Sequence, residues 1–149
     1  HFMESKGENQ WLNYSNGEFS EFFKNFLQQD KSLVKPFEFL NQFKQIKNLS
    51  FTHCVEANKD ELEQINKLNA SVIHCPKSNR LLNNTNLNLD YIEDINLAMG
   101  TDGLSSNNSL NMFDEMQSAL FTHTNQDLEK LAQRLLIAST KGGAKALGL

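Results

Sequence analysis

The sequence predicts an α/β fold built on a parallel sheet, and three observations carry that prediction. Short β-prone runs alternate with amphipathic stretches in the order strand, helix, strand, helix, strand, helix, which implies parallel pairing through right-handed crossovers. Two of the runs close on histidine, His53 and His74, and the third leads into Asp102. In parallel α/β folds the chemistry gathers where strands end and loops begin. The composition, 39% apolar, 9% aromatic and 21% charged over 149 residues, suits a single globular domain with a core.

Each element has its own signal. Phe19, Phe22, Phe23, Phe26 and Leu27 form a helical stripe that predicts a helix over 20–29. A second helix starts at Pro36, a good first-turn residue, and carries Phe39, Leu40, Phe43 and Ile46. Leu49 to Val55 reads as a strand. Asn58 caps the next helix, with Asp60 and Glu61 favourable to its dipole and Leu62, Ile65 and Leu68 on its apolar face. Ser71 to His74 is a strand halted by Pro76. Residues 76–90 are polar and Asn-rich, a loop long enough to suggest function.

A short helix at about 91–94 leads into the buried strand Ile95 to Met99. Helices follow over 110–123 and 128–139, and the tail ends in a last turn closed by Gly148. Three strands, with a fourth ending at His1, cannot close a barrel or cover both faces of a sheet. The chain is therefore expected to be part of a larger unit.

Composition excludes several function classes. The net charge is −4 without a basic stripe, which argues against a nucleic-acid partner. No apolar run reaches the length of a membrane span, so no membrane partner is expected, and no signal peptide is visible. Cys54 and Cys75 give no disulfide framework and fit a reducing cytoplasm. Nineteen Asn against two Pro reads as codon bias.

The candidate chemistry lies at the strand ends. Asp102 sits between Gly100 and Gly103, opening a polar loop after a buried strand, where a barrel enzyme would hold a metal. His53 and His74 face the same end, and His1 precedes Glu4 and Glu8. Imidazoles and a carboxylate around one open position describe a catalytic zinc or iron site. His123 falls near a helix C-terminus, where a cationic ring suits the dipole. The pairs His53-Cys54 and His74-Cys75 could suggest a structural Cys2His2 site. Neighbouring strand residues point to opposite faces, however. That alternation is expected to turn both histidines to the site and both cysteines into packing.

Four segments in this order resemble the amidohydrolase superfamily: His1-Phe2-Met3-Glu4-Ser5, Thr52-His53-Cys54, Val72 to Asn79, and Gly100 to Asn107. The resemblance is nearest the branch of S-adenosylhomocysteine and methylthioadenosine deaminases and chlorohydrolases. Within it, the details look most like aminofutalosine deaminases of menaquinone biosynthesis. It implies the second half, strands five to eight, of a TIM-type (β/α)8 barrel over 1–149, with the first half and a β-sandwich missing. His1, His53, His74 and Asp102 would then end those four strands in turn.

The same resemblance implies site roles. His1 and Asp102 would bind Zn2+, or Fe2+, with Asp102 also accepting a proton from the attacking water. Glu4 would protonate the purine ring, and His53 would steady the attacking oxygen. Glu4, His53, His74, Ser78 and Asn79 would contact the substrate, a purine nucleoside, most simply aminodeoxyfutalosine. S-adenosylhomocysteine, methylthioadenosine or guanine deaminases and a chlorohydrolase are the alternatives in the class, and a homo-oligomer stays open. The family's first-strand His-x-His is absent from these residues, so 1–149 alone is expected to hold zinc weakly and to turn nothing over. Outside enzymes, the competing expectation is a non-catalytic βα domain docking through Phe19, Phe22, Phe23, Phe26, Phe39 and Phe43. A bare half-barrel should in any case be sticky.

Overall fold

A computed structural model describes residues 1–149. Strands β1 (Ser50–Thr52), β2 (Ser71–His74) and β3 (Asn96–Met99) form a parallel sheet in sequence order. Phe2 makes an isolated parallel bridge to His53, which lays the start of the chain beside β1. The helices are α1 (Lys6–Tyr14), α2 (Pro36–Asn41), α3 (Lys59–Lys67), α4 (Pro76–Asn83), α5 (Met112–Thr122), α6 (Leu128–Ile137) and α7 (Gly143–Leu147). All the strands run the same way, so all their carboxyl ends meet at one rim.

Side-chain alternation divides the sheet. Phe51, Val72, Leu97 and Met99 point toward the helices and join a buried core with Phe2, Met3, Leu40, Leu62, Ile65, Leu131 and Leu135. Each large apolar side chain fully buried there is worth about 1.5–3 kcal/mol. Ile73 lies on the opposite face. A Cβ built on Gly100 would lie 2.8 Å from Ile73 Cγ2 and 3.1 Å from Cys75 Sγ, so these three share that face.

The caps follow the sequence. Asn58 accepts from the Glu61 amide while Glu61 accepts from the Asn58 amide, a reciprocal box that starts α3. Gly148, at φ 77°, ends α7 in the left-handed conformation.

Two expected elements differ. The predicted helix over 20–29 is a single π-helical turn, Phe22–Phe26. Phe23 stacks on Trp11 with centroids 4.4 Å apart, but Phe22 and Phe26 remain exposed. A stripe that finds so little to cover cannot sustain a longer helix. The supposed loop 76–90 begins with α4, because Pro76 both stops the strand and occupies the first turn of a helix. Of the phenylalanines proposed as an interface, Phe39 and Phe43 pack against the core, linked to Phe2 and Phe51 by ring contacts of 5.0–6.0 Å.

The C-terminal end leans on β3 through a close approach only glycine permits. A Cβ on Gly142 would drive into the Leu97 carbonyl, and Asn96 Nδ2 donates to the Gly142 carbonyl at 3.0 Å. Gly142→Ala is expected to destabilise the fold by about 1–3 kcal/mol. Thermal or urea unfolding checks this, with a variant as stable as the parent as the contrary result.

Candidate active site

Four of the expected groups converge at the rim. His1 Nδ1 lies 3.0 Å from Glu4 Oε2 and 3.1 Å from His53 Nε2, and Glu4 Oε2 is 3.5 Å from His53 Nε2. One ligand atom each from His1, His53 and Asp102 lies within 4.8 Å of the others. His53 is fully buried, whereas the His1 side chain is 59% exposed.

The backbone at this rim is unusual. Met3, His53, Cys54 and Asp102 all adopt left-handed conformations, with φ of 50°, 76°, 54° and 58°. Such residues cost on the order of 1–3 kcal/mol each and persist only where their surroundings hold them. Here the hold is visible. Phe2 donates its amide to the Thr52 carbonyl (3.1 Å) and accepts from the Cys54 amide (2.9 Å). The segment bearing Glu4 is pinned by Glu8, whose carboxylate accepts from the amides of Met3 (3.0 Å) and Glu4 (2.7 Å). Ser5 caps α1 by accepting from the Glu8 amide.

Asp102 is held by three donors. Ser78 Oγ donates to Oδ2 at 2.6 Å, Ser106 Oγ to the same oxygen at 3.1 Å, and the Gly103 amide to Oδ1 at 2.8 Å. Burial alone would raise the Asp102 pKa. The hydrogen bonds from Ser78, Gly103 and Ser106, helped by nearby His53, outweigh it and keep the group below the usual carboxylate range. Asp102 is therefore ionised at neutral pH.

Asn79 is fully buried in the first turns of α4, with Oδ1 2.7 Å from His53 Nδ1. With the amide oriented this way, His53 Nδ1 donates to Asn79 and Nε2 faces the rim, 3.1 Å from His1 Nδ1. Ser78 and Asn79 thus stand behind Asp102 and His53 and orient them. Both were expected to contact the substrate, and neither exposes surface in residues 1–149.

His74, also expected at the substrate, lies on the helix side of the sheet. It is the last residue of regular β2, so alternation sends it to the helix side with Val72. There it is fully buried, with Nε2 2.9 Å from His123 Nε2. Cys75, one residue on, takes the sheet face near Gly100. Both cysteines go into packing as expected, and His53 reaches the rim, but His74 does not. His53 escapes the alternation because its left-handed backbone lies beyond β1. His123, 5% exposed, is not a cation serving the helix dipole, since burial lowers its pKa.

Sequence reading missed Ser106 and the pinning role of Glu8. The Ser5-x-x-Glu8 spacing is a helix-start signature that could have revealed α1. Ser106 carries no comparable signal.

The donor set suits a divalent cation. Two imidazoles and a carboxylate are ligands of zinc and iron. Donors at about 2.1 Å from one ion lie about 3.4 Å apart in a tetrahedron. The ligand atoms here, all within 4.8 Å of one another, stand near that spacing.

A model of the amidohydrolase family matches residues 1–149. The chain is 49% identical over 148 residues to aminodeoxyfutalosine deaminase of a Nitratiruptor species, covering 99% of this chain and 36% of that protein. The structure of Helicobacter pylori aminofutalosine deaminase in complex with methylthio-coformycin superposes with a TM-score of 0.90 at 38% identity, covering 100% of this chain and 38% of that one. An adenosine deaminase from Xanthomonas campestris with bound zinc superposes with a TM-score of 0.72 at 28% identity, covering 99% and 31%. The chain spans about a third of the length of these proteins, 31–38%.

Proposed function

The chain belongs to the amidohydrolase family, and from that premise we propose that it forms part of a hydrolytic deaminase of 6-aminopurine nucleosides, with aminodeoxyfutalosine as the first candidate substrate. On this reading residues 1–149 supply strands five to eight of the family's barrel. The observation that carries the proposal is the meeting of His1, Glu4, His53 and Asp102 at one rim. The 49% identity to an aminodeoxyfutalosine deaminase supports the choice of substrate.

Deamination of a 6-aminopurine needs water at C6, a base for its proton, an acid for the ring nitrogen and a path for ammonia. A divalent cation held by His1 and Asp102, zinc first, would lower the pKa of water there to about 7. The chain's own residues account for the rest. Asp102, kept ionised by its donors, accepts the proton of the attacking water. His53, in an orientation fixed by Asn79, presents Nε2 to accept a hydrogen bond from the O–H of the attacking water. Glu4 delivers a proton to the ring nitrogen beside the carbon under attack, and Glu8 holds its backbone in place. Asp102 then passes that proton to the 6-amino group, which leaves as ammonia as the hydroxyl at C6 gives up its own proton to Glu4 and becomes the carbonyl.

The test is ammonia release by the full-length protein from a panel of aminodeoxyfutalosine, adenosine, 5′-deoxyadenosine, methylthioadenosine and S-adenosylhomocysteine. The highest kcat/KM is expected for aminodeoxyfutalosine. No release from any member of the panel would contradict the reading.

A further inference from the structure

Glu115 is fully buried on α5, and nothing in the chemistry above uses it. An acidic residue in the opening turns of a helix is favoured by the dipole, but that benefit needs no burial. Removing a carboxylate from water costs several kcal/mol unless its oxygens are bonded. Here both are. Oε2 accepts from the Lys77 amide at 3.2 Å, and Oε1 accepts from Asn107 Nδ2 at 2.6 Å. Asn107 Nδ2 also donates to the Thr101 carbonyl at 2.6 Å, while its Oδ1 accepts from the Ser109 amide at 3.2 Å.

One carboxylate therefore ties two separate segments together. Lys77 lies at the start of α4, next to Ser78. Thr101 and Asn107 bracket the loop that carries Asp102 and Ser106. Ser78, Ser106 and Asp102 are the three groups that bond one another at the rim, with the two hydroxyls 2.9 Å apart. Nothing else bonds the Lys77 amide, so separation of the two segments would pull Ser78 away from Asp102.

We propose that Glu115 is a positioning residue, which through Asn107 and the Lys77 amide clamps the two segments so that Ser78 and Ser106 fix the Asp102 carboxylate toward the site. The proposal rests on the reading of Asp102 as ligand and base. Glu115 itself touches no reacting atom.

The experiment uses the full-length protein and measures zinc affinity by chelator competition, Tm, and kcat and KM for ammonia release. Glu115→Gln keeps the size but turns an amide NH2 toward one of two donors. Zinc affinity and kcat are each expected to fall about tenfold, as for other groups that orient metal ligands. KM should stay within about twofold, because substrate binding is untouched. Asn107→Ala severs the clamp from the other side and is expected to do the same. The double variant should be no worse than the more damaging single one, since both break one link.

Unchanged zinc affinity in both variants, with only Tm lowered, overturns the proposal. If Glu115→Gln does not fold, the Asn107→Ala zinc affinity decides. A wild-type protein that binds zinc but releases no ammonia defeats the deaminase reading alone, and the zinc comparison still supports or overturns the clamp.

Discussion

Asp102→Asn in the full-length protein is expected to lower kcat for ammonia release by about 10³-fold or more, combining loss of a general base with loss of a charged ligand. The reason lies in the carboxylate's surroundings. Ser78 and Ser106 both approach Oδ2 and the Gly103 amide approaches Oδ1. All three donate to the carboxylate, and an amide at 102 keeps only one accepting oxygen, so the bonds at the other position are lost or must reverse. The substitution removes the negative charge that attracts a cation and leaves a group that cannot take a proton from water. Metal content should fall in parallel with kcat, while far-UV circular dichroism stays at the parent level. A kcat within tenfold of the parent, with zinc retained, would show that Asp102 is neither base nor ligand.

The second large effect is on stability against pH. His74 is fully buried, and burial, reinforced by His123, His53 and Arg134, pushes its pKa down to about 3. His123 is lowered too, by burial and then by Arg134. The ring of His74 also leaves Nδ1 without a partner, so protonation would add a charge where nothing can receive it. In the unfolded chain both rings titrate near 6.5. The unfolded state therefore binds more protons than the folded one between about pH 6.5 and pH 3, and stability falls as pH drops through that window.

The expected loss between pH 7 and pH 4 is on the order of 3 kcal/mol. Asp102, with its depressed pKa, adds a further loss only below about pH 4, as the pH falls through its ordinary carboxylate range. Urea unfolding at a series of pH values measures the slope. His74→Leu should flatten the curve between pH 6.5 and pH 4, and a profile with the same slope as the parent would contradict the assignment.

The parallel sheet was legible because its signals are local. Ser71–His74 is bounded by Pro76, and Asn58 with Glu61 marks the start of α3. Of the rim residues, His53 and Asp102 were legible because each sits just beyond a strand end, and His1 and Glu4 through the family resemblance of the segment 1–5. What was not legible depends on backbone handedness and on contacts far apart in sequence. The pattern of histidine followed by cysteine is the same at 53–54 and 74–75, yet the first pair lies beyond its strand in left-handed conformation. The second begins inside a regular strand. No spacing rule distinguishes them.

Ser78 and Asn79 were identified as important, but their place behind the site depends on α4, which polar composition concealed. Ser106 acquires its role only when the loop after β3 folds back toward Ser78.

The most direct measurement is an anomalous difference map, recorded at the zinc edge, from crystals of the zinc-loaded full-length protein. A single peak about 2.0–2.2 Å from a His1 imidazole nitrogen and from an Asp102 carboxylate oxygen is expected. A peak elsewhere, with these two side chains turned apart, would contradict the claim that they grip a common ion.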